Sequence, residues 1–351
     1  MHKIVVSLFT TFLVVVLSAG LAQDEPVRVA MVTSESGLGD RSFNDMMLEG
    51  MKKAETDFGI EYSTIQPRSI SEFKSTLVRA ASSKSFDIII GSSFDMIDPM
   101  TEVAALFPDQ KFGLVDVGPD PIAPNVESTV TKDWEGSFLV GAIAAEKSET
   151  DTIGFVGGKD IPIIHRFFVG YYYGAKMMNP DINVLESYSG TFTDPATGKE
   201  YTLALVDQGS DINFAVAGAT SAGVIDAAKS SDTFAIGVDS NQNYLAPGSV
   251  LTSMVKRVDT QAYDMIKDVV EGTFEGGQVT QYGLKEGGVD FAMDEHNQGL
   301  ISDDVLAKVN NLREKVISGE IVVPNYFDLE GGQETMGTPP IDTPPSVRDA
   351  R

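Results

Sequence analysis

From Val27 to Val238 short apolar runs alternate with segments of helical periodicity, and the alternation is completed twice. The first block opens with Val27-Arg28-Val29-Ala30-Met31-Val32, a strand. Ser42 to Phe58 follows, with Phe43, Met47, Met51, Ala54 and Phe58 at helical spacing. Strands are expected at Glu61 to Ile65, Phe86 to Ile90 and Lys111 to Val115, with helices at Ser71 to Ser82 and Pro99 to Phe107 between them. In the second block, strands are expected at Thr152 to Val156, Ile182 to Ser187, Ile212 to Val216 and Phe234 to Val238. Its helices are Trp134 to Lys147, Pro162 to Met178, Gly198 to Gln208 and Ser221 to Ala228. Strand and helix in strict alternation build parallel sheets covered by helices on both faces. Two such blocks predict an α/β chain of two lobes, each a doubly wound parallel sheet. Beyond Asp239 the order is less regular: a strand at Val250 to Met254, a helix at Asp259 to Val270, strands at Thr280 to Leu284 and Val289 to Ala292, and a last helix at Ser302 to Ser318.

The N-terminus reads as an export signal. Met1-His2-Lys3 is basic, Ile4 to Leu17 is apolar, and Gly20 and Ala22 are the small residues that precede a cleavage site after Ala22. The apolar run is shorter than the roughly 20 residues of a spanning helix, so a cleaved, soluble, periplasmic product is expected. The sequence contains no cysteine, which excludes disulfides, cysteine metal sites and cysteine nucleophiles. It also removes the residue that a lipid-anchored precursor would modify, so the product is expected not to be a lipoprotein. The formal charge of −25 repels phosphate backbones and anionic lipid, and no nucleic-acid partner is expected. His2, His165 and His296 are scattered and suggest no metal site. The tail from Glu330, with Gly-Gly and two Pro-Pro pairs, has a composition that favours disorder.

In open parallel sheets, ligands sit beyond the carboxyl ends of the strands. Those ends read Thr33 to Asn44, Gly91-Ser92-Ser93-Phe94-Asp95 and Asp116 in the first block. In the second they read Gly157-Gly158-Lys159-Asp160, Gly218-Ala219-Thr220 and Asp239. Glycines, hydroxyls and single carboxylates recur there, the equipment for polar recognition at close backbone approach. Gly37-Leu38-Gly39 does not extend to a dinucleotide fingerprint, and Gly157-Gly158-Lys159 lacks the spacing of a phosphate loop. No histidine or metal cluster accompanies the carboxylates, so binding outranks catalysis and no cofactor is expected.

Several segments together resemble the basic membrane protein family of solute receptors, which includes the purine nucleoside receptors of ABC importers. They are V-A-M-V-T-S-E-S-G-L-G-D-R-S-F-N-D-M-M-L-E-G-M-K-K (Val29 to Lys53), F-P-D-Q-K-F (Phe107 to Phe112), G-F-V-G-G (Gly154 to Gly158), Ile163 to Gly174, I-G-V-D-S-N-Q (Ile236 to Gln242), L-T-S-M-V-K-R-V-D (Leu251 to Asp259) and Y-G-L-K-E-G-G-V (Tyr282 to Val289). The resemblance implies a type I periplasmic-binding fold, two doubly wound lobes joined by three crossover segments. The implied division is a signal at 1–22, a first lobe of 23–128 plus 243–274, a second of 129–242 plus 275–329, and a tail at 330–351. The crossings are then expected near 126–130, 239–244 and 271–277, with the segment around 250–270 returning to the first lobe.

The same resemblance implies a site. Phe43 and Phe214 would sandwich a base, where ordinary core packing is the alternative for both. Asp116 would bond the base edge, Asp239 would take the ribose hydroxyls, and Gly237 precedes it in I-G-V-D. Lys256 would donate to the sugar oxygens or balance Asp239. Asp40 and Asn44 can bond the ligand or cap the following helix, and Arg166 could line the cleft from the second lobe, although a solvated helix face is expected for it. The expected protein is a monomeric receptor, not an enzyme, that hands a purine nucleoside to an ABC permease. A flavin or sugar ligand, a sensor subunit for a membrane signalling protein, and a hydrolase on the same scaffold are the competing readings.

Overall fold

The computed structural model describes residues 25–118 and 120–330; the expected signal peptide and tail lie outside the described residues, save Glu330. Within them the expected alternation is present. In chain order the strands are β1 (Arg28–Val32), β2 (Glu61–Ile65), β3 (Ile88–Ser92), β4 (Lys111–Val115), β5 (Val126–Thr131), β6 (Thr152–Gly157), β7 (Asn183–Tyr188), β8 (Ile212–Val216), β9 (Phe234–Asp239), β10 (Val250–Lys256), β11 (Val279–Tyr282) and β12 (Val289–Phe291). The helices are α1 (Phe43–Phe58), α2 (Phe73–Ser83), α3 (Ile97–Leu106), α4 (Asp133–Lys147), α5 (Pro162–Met178), α6 (Pro195–Val206), α7 (Ser221–Ser230), α8 (Val258–Glu271), α9 (Asp303–Ile317) and α10 (Tyr326–Glu330).

Two six-stranded sheets result. The first has the order β11-β5-β4-β3-β1-β2 and is parallel throughout. The second has the order β12-β10-β9-β8-β6-β7, parallel except for the antiparallel pair β10/β12. Apart from β11 and β12, the five remaining strands of each sheet follow the same doubly wound path, with the order reversing between β1 and β3 in one sheet and between β6 and β8 in the other. Such a reversal opens a crevice at the carboxyl ends of its strands. Central strands such as β3 and β8 are buried along their whole length, as strands covered on both faces must be. One core cluster centred on Phe73 and Phe112 covers one face of the first sheet, and a second centred on Met31, Met47 and Met265 covers the other.

Close helix contacts explain the small residues of the second block. α4 crosses α5 through Gly141, Gly170 and Gly174. A Cβ on Gly174 would stand 1.9 Å from the Phe138 carbonyl oxygen, and one on Gly141 would stand 2.1 Å from that of Tyr171.

The chain passes between the sheets at β5 to α4, at β10 to α8 and at β11 to β12. These crossings are tied together by backbone hydrogen bonds from Lys132 to Tyr282 (2.8 Å) and from Arg257 to Gly288 (2.9 Å). This corrects the expected division. β10 belongs to the second sheet, where it pairs with β9 and β12, so only α8 returns, to pack on α1, β3 and β4. The second crossing is therefore at 256–258 and not at 239–244. β11 belongs to the first sheet, beside β5, so the third crossing is at 283–288 and not at 271–277. β5, read as a crossing, is a full strand of the first sheet.

Candidate functional site

The carboxyl ends of the two sheets face each other across a cleft. It encloses about 750 Å³ of non-atom space, the solvent in its open mouth included. The first lobe walls it with the segment after β1 (Ser34, Asp40, Phe43), the segment after β3 (Ser93, Phe94, Asp95) and Asp116 after β4. The second lobe contributes Ile161 and Phe167 after β6, Phe192 after β7, Gly218 after β8, and Asp239 and Lys256 at the ends of β9 and β10.

The first wall is built around Asp40. Its carboxylate accepts from the backbone N–H of Ser42 (3.0 Å), Asn44 (2.9 Å) and Asp45 (3.1 Å), and from Asn44 Nδ2 (2.8 Å). It thereby caps α1, whose own N-cap Ser42 makes no side-chain cap. Burial raises its pKa against those bonds. Asn44 accepts from the Ser34 N–H (2.9 Å) and donates to Ser34 Oγ (2.8 Å); it holds the loop and does not line the cleft. Ser42 Oγ, freed from capping, donates to Asp239 Oδ2 across the cleft at 2.5 Å. Beside it the Arg41 carbonyl accepts from Ser240 Oγ and Gln242 Nε2, both at 2.8 Å. These bonds join the lobes across the cleft.

Asp116 and Asp239 occupy equivalent places, one residue past β4 and at the end of β9. Both have left-handed backbones, with φ of 58° and 64°. Non-glycine residues held there store strain that clusters at functional sites, and Asp tolerates it better than most. Their environments differ. Burial would raise the pKa of Asp116, but Lys256 and Arg166 overcome it and hold the carboxyl below its usual range. Burial of Asp239 prevails over the opposing Lys256 and Ser42 and brings its pKa to about 6. The Asp116 carboxylate is engaged by Lys256 and accepts from the Thr131 N–H (3.3 Å). Among the described residues, only Ser42 donates to Asp239.

Lys256 ends β10 at the second crossing, 2% exposed, bonded to Asp116 and lying 3.3 Å from Asp133. Its ammonium stands 5.7 Å from the Phe43 ring centre and 4.8 Å from that of Phe167. Burial works against its charge, but Asp116, Asp133 and Asp239 outweigh that and raise its pKa. Arg166 is 1% exposed, not on a solvated face. It donates to Asp133 at 2.7 Å and approaches Asp116 to 3.6 Å. Asp116, Asp133, Arg166 and Lys256 thus form a buried, formally neutral quartet where the lobes meet.

Phe214 requires a correction. It lies mid-strand in β8, fully buried against Phe155 (5.8 Å between ring centres) and Tyr171 (5.3 Å), and a mid-strand side chain cannot reach a cleft beyond the strand ends. Gly237 is also off the wall: a Cβ there would stand 2.6 Å from Ser253 Oγ and 2.8 Å from Gln242 Oε1, so its small size serves the packing of Gln242 and Ser253. The rings that do line the cleft from the second lobe are Phe167 and Phe192, and Phe94 joins Phe43 from the first. Phe192 follows β7 in S-G-T-F-T, the one strand end of the second block passed over in the sequence.

Residues 27–326 match the Bmp family, described as ABC transporter substrate-binding protein PnrA-like. The chain belongs to the Bmp family. Basic membrane protein A of Borreliella burgdorferi is 37% identical over 294 residues, covering 82% of this chain and 84% of its own. The "ABC transporter nucleoside-binding protein BmpA" of Lactococcus lactis is 33% identical over 321 residues, covering 85% and 89%. A solved solute-binding protein of an ABC transporter system from Aeropyrum pernix superposes with a TM-score of 0.80 at 32% identity, over 87% of this chain and 96% of that one. This Bmp family member is therefore an ABC transporter substrate-binding protein of the two-lobed α/β type. Relatives from three Pyrococcus species are named lipoproteins, which runs against the expectation of an untethered product.

Proposed function

We propose that this protein is the extracytoplasmic receptor of an ABC importer and that its closed cleft holds a purine nucleoside for delivery to the permease. The observation that carries this reading is the pairing of aromatic rings from both lobes, Phe43 and Phe192, with the carboxylates Asp116 and Asp239 that end equivalent strands. Flat rings on opposite walls suit a planar base, each stack adding about 0.5–1.5 kcal/mol beyond area burial. Asp239 has acceptor capacity to spare and suits vicinal hydroxyls, where a hydrogen bond to a charged acceptor is worth about 1.5–3 kcal/mol. Lys256, held by Asp116, points its charge between the lobes and suits the sugar oxygens. Asp116 is engaged by its cations, so its part is chiefly to fix Lys256. The printed name of the Lactococcus lactis relative supports the same ligand class.

In this reading the ligand engages one lobe in the open form, and contacts to the other select the closed form. The permease then reads the closed pair. The test is a thermal-shift screen of the purified protein against nucleosides, free bases, riboflavin and sugars. Nucleosides are expected to raise the midpoint most; a rise with riboflavin or a sugar and none with any nucleoside rejects the ligand assignment.

A further inference from the structure

The polar groups of the cleft fall at two poles. One is the Asp239, Asp40 and Lys256 end. The other is the rim formed after β1 and β3, where Ser34, Ser93, Phe94 and Asp95 line the cleft. At this second pole the Asp95 carboxylate is half-buried, and no hydrogen bond or ion pair with a described residue engages it; Ser93 Oγ accepts from its backbone N–H at 3.1 Å. The nearby cation, Lys159, is bonded to Glu35 across the cleft and stands 5.2 Å from the Phe192 ring centre. Desolvation already raises the Asp95 pKa, outweighing the influence of Lys159, as it does for an acceptor partly stripped of water and not yet given a donor. Ser34 Oγ and Ser93 Oγ each accept one hydrogen bond from the protein and keep their protons to donate.

We propose that Asp95 is a specificity residue: with the two serine hydroxyls it forms a subsite for the edge of a guanine-type base, taking two adjacent N–H donors while a hydroxyl meets the neighbouring carbonyl oxygen. A carboxylate offers two acceptors side by side and no donor. The Watson–Crick edge of guanine offers N1–H and the 2-amino group beside O6. Hypoxanthine lacks the amino group, and adenine presents an unprotonated N1. Phe94 and Phe192 border the subsite, so a base stacked between Phe43 and Phe192 extends its edge toward Asp95. With the sugar at Asp239 and Lys256, the two poles read the two ends of one nucleoside.

This inference rests on the nucleoside reading, and the experiment separates the two. Guanosine and inosine, which differ only in the 2-amino group, are titrated calorimetrically into the wild type and into Asp95→Asn and Asp95→Ala. The Asp95 side chain caps no helix and holds no loop, so both variants are expected to fold, as far-UV circular dichroism will verify. The wild type is expected to bind guanosine at least about tenfold more tightly than inosine, since a site built for a donor leaves its acceptor unpaired with an analogue that lacks it. In both variants the preference is expected to fall below about threefold, with guanosine losing more affinity than inosine, which offers Asp95 only its N1–H. Equal wild-type affinities overturn the subsite. So does an equal loss for both ligands in the variants, which would leave Asp95 as no more than a counter-charge to Lys159. Binding of neither nucleoside by the wild type overturns the nucleoside reading and the subsite with it.

Discussion

Replacing Lys256 by methionine isolates the electrostatic work of the buried quartet. Methionine keeps the apolar stem against Phe43 and Phe167 and removes the charge. In the wild type two carboxylates face two cations. In Lys256→Met a single guanidinium, 2.7 Å from Asp133 and 3.6 Å from Asp116, must serve both carboxylates. Removing one partner of a buried ion pair costs about 3–5 kcal/mol, which for a chain of this size is a fall in Tm on the order of 6–15 °C. The loss depends on pH. Wild-type Asp116 is held below its ordinary 3.8, so its stabilising contribution is present above that value and fades as pH falls through the folded-state pKa. Without Lys256 the Asp116 pKa rises, and the carboxylate takes up a proton on the way down. The deficit of the variant is therefore largest at neutral pH and narrows toward pH ~4. The double variant Asp116→Asn/Lys256→Met restores neutrality around Asp133 and Arg166, and is expected to recover about 1–3 kcal/mol relative to the sum of the single losses. Calorimetry gives the Tm. The single tryptophan, Trp134, whose ring centre lies 5.8 Å from the Arg166 guanidinium, reports on the quartet by fluorescence. A Lys256→Met protein within about 1 kcal/mol of wild type at pH 7, or strictly additive losses in the double variant, refutes the reasoning.

Phe192→Ala is expected to weaken nucleoside binding by roughly ten- to a hundredfold with little change in Tm, whereas Phe214→Ala is expected to destabilise the fold by about 3–5 kcal/mol; parallel calorimetry and binding titrations read both. Asp239 has a pKa of about 6 in the folded protein, above its unfolded value, so its ionised form costs stability at neutral pH that is recovered as pH falls through 6. Thermal unfolding between pH 7.5 and 5 should show this gain, and Asp239→Asn should flatten that part of the dependence. Gly174→Ala places a Cβ 1.9 Å from the Phe138 carbonyl oxygen and should cost about 1–3 kcal/mol by forcing α4 and α5 apart, measured by urea unfolding.

Local pattern carried the elements well. Helix α5 has the bounds expected from its proline start, and β1, β4 and β9 fall within a residue of their apolar runs. Sheet membership after Asp239 was not legible, because β10 belongs to the second lobe, α8 and β11 to the first and β12 again to the second, and no local periodicity records which distant strand a segment pairs with. The strand-end rule located Asp40, Phe43, Asp116 and Asp239, since position relative to a strand terminus can be read along the chain. The same rule, applied to the loop after β7, would have found Phe192. It also argues against Phe214, which sits in the middle of I-N-F-A-V and alternates into the core. Arg166 was misread because a charged residue in a helix looks solvated until its two buried carboxylate partners, 33 and 50 positions earlier in the chain, are brought beside it by the crossings.

A crystal structure of the protein with bound guanosine tests the central claim most directly. The account predicts the base between Phe43 and Phe192, its amino edge toward Asp95, and the ribose hydroxyls on Asp239 with Lys256 beside the sugar. A nucleoside bound outside the cleft, or in the cleft with the ribose at Asp95 and no ring stacked on Phe43 or Phe192, contradicts it.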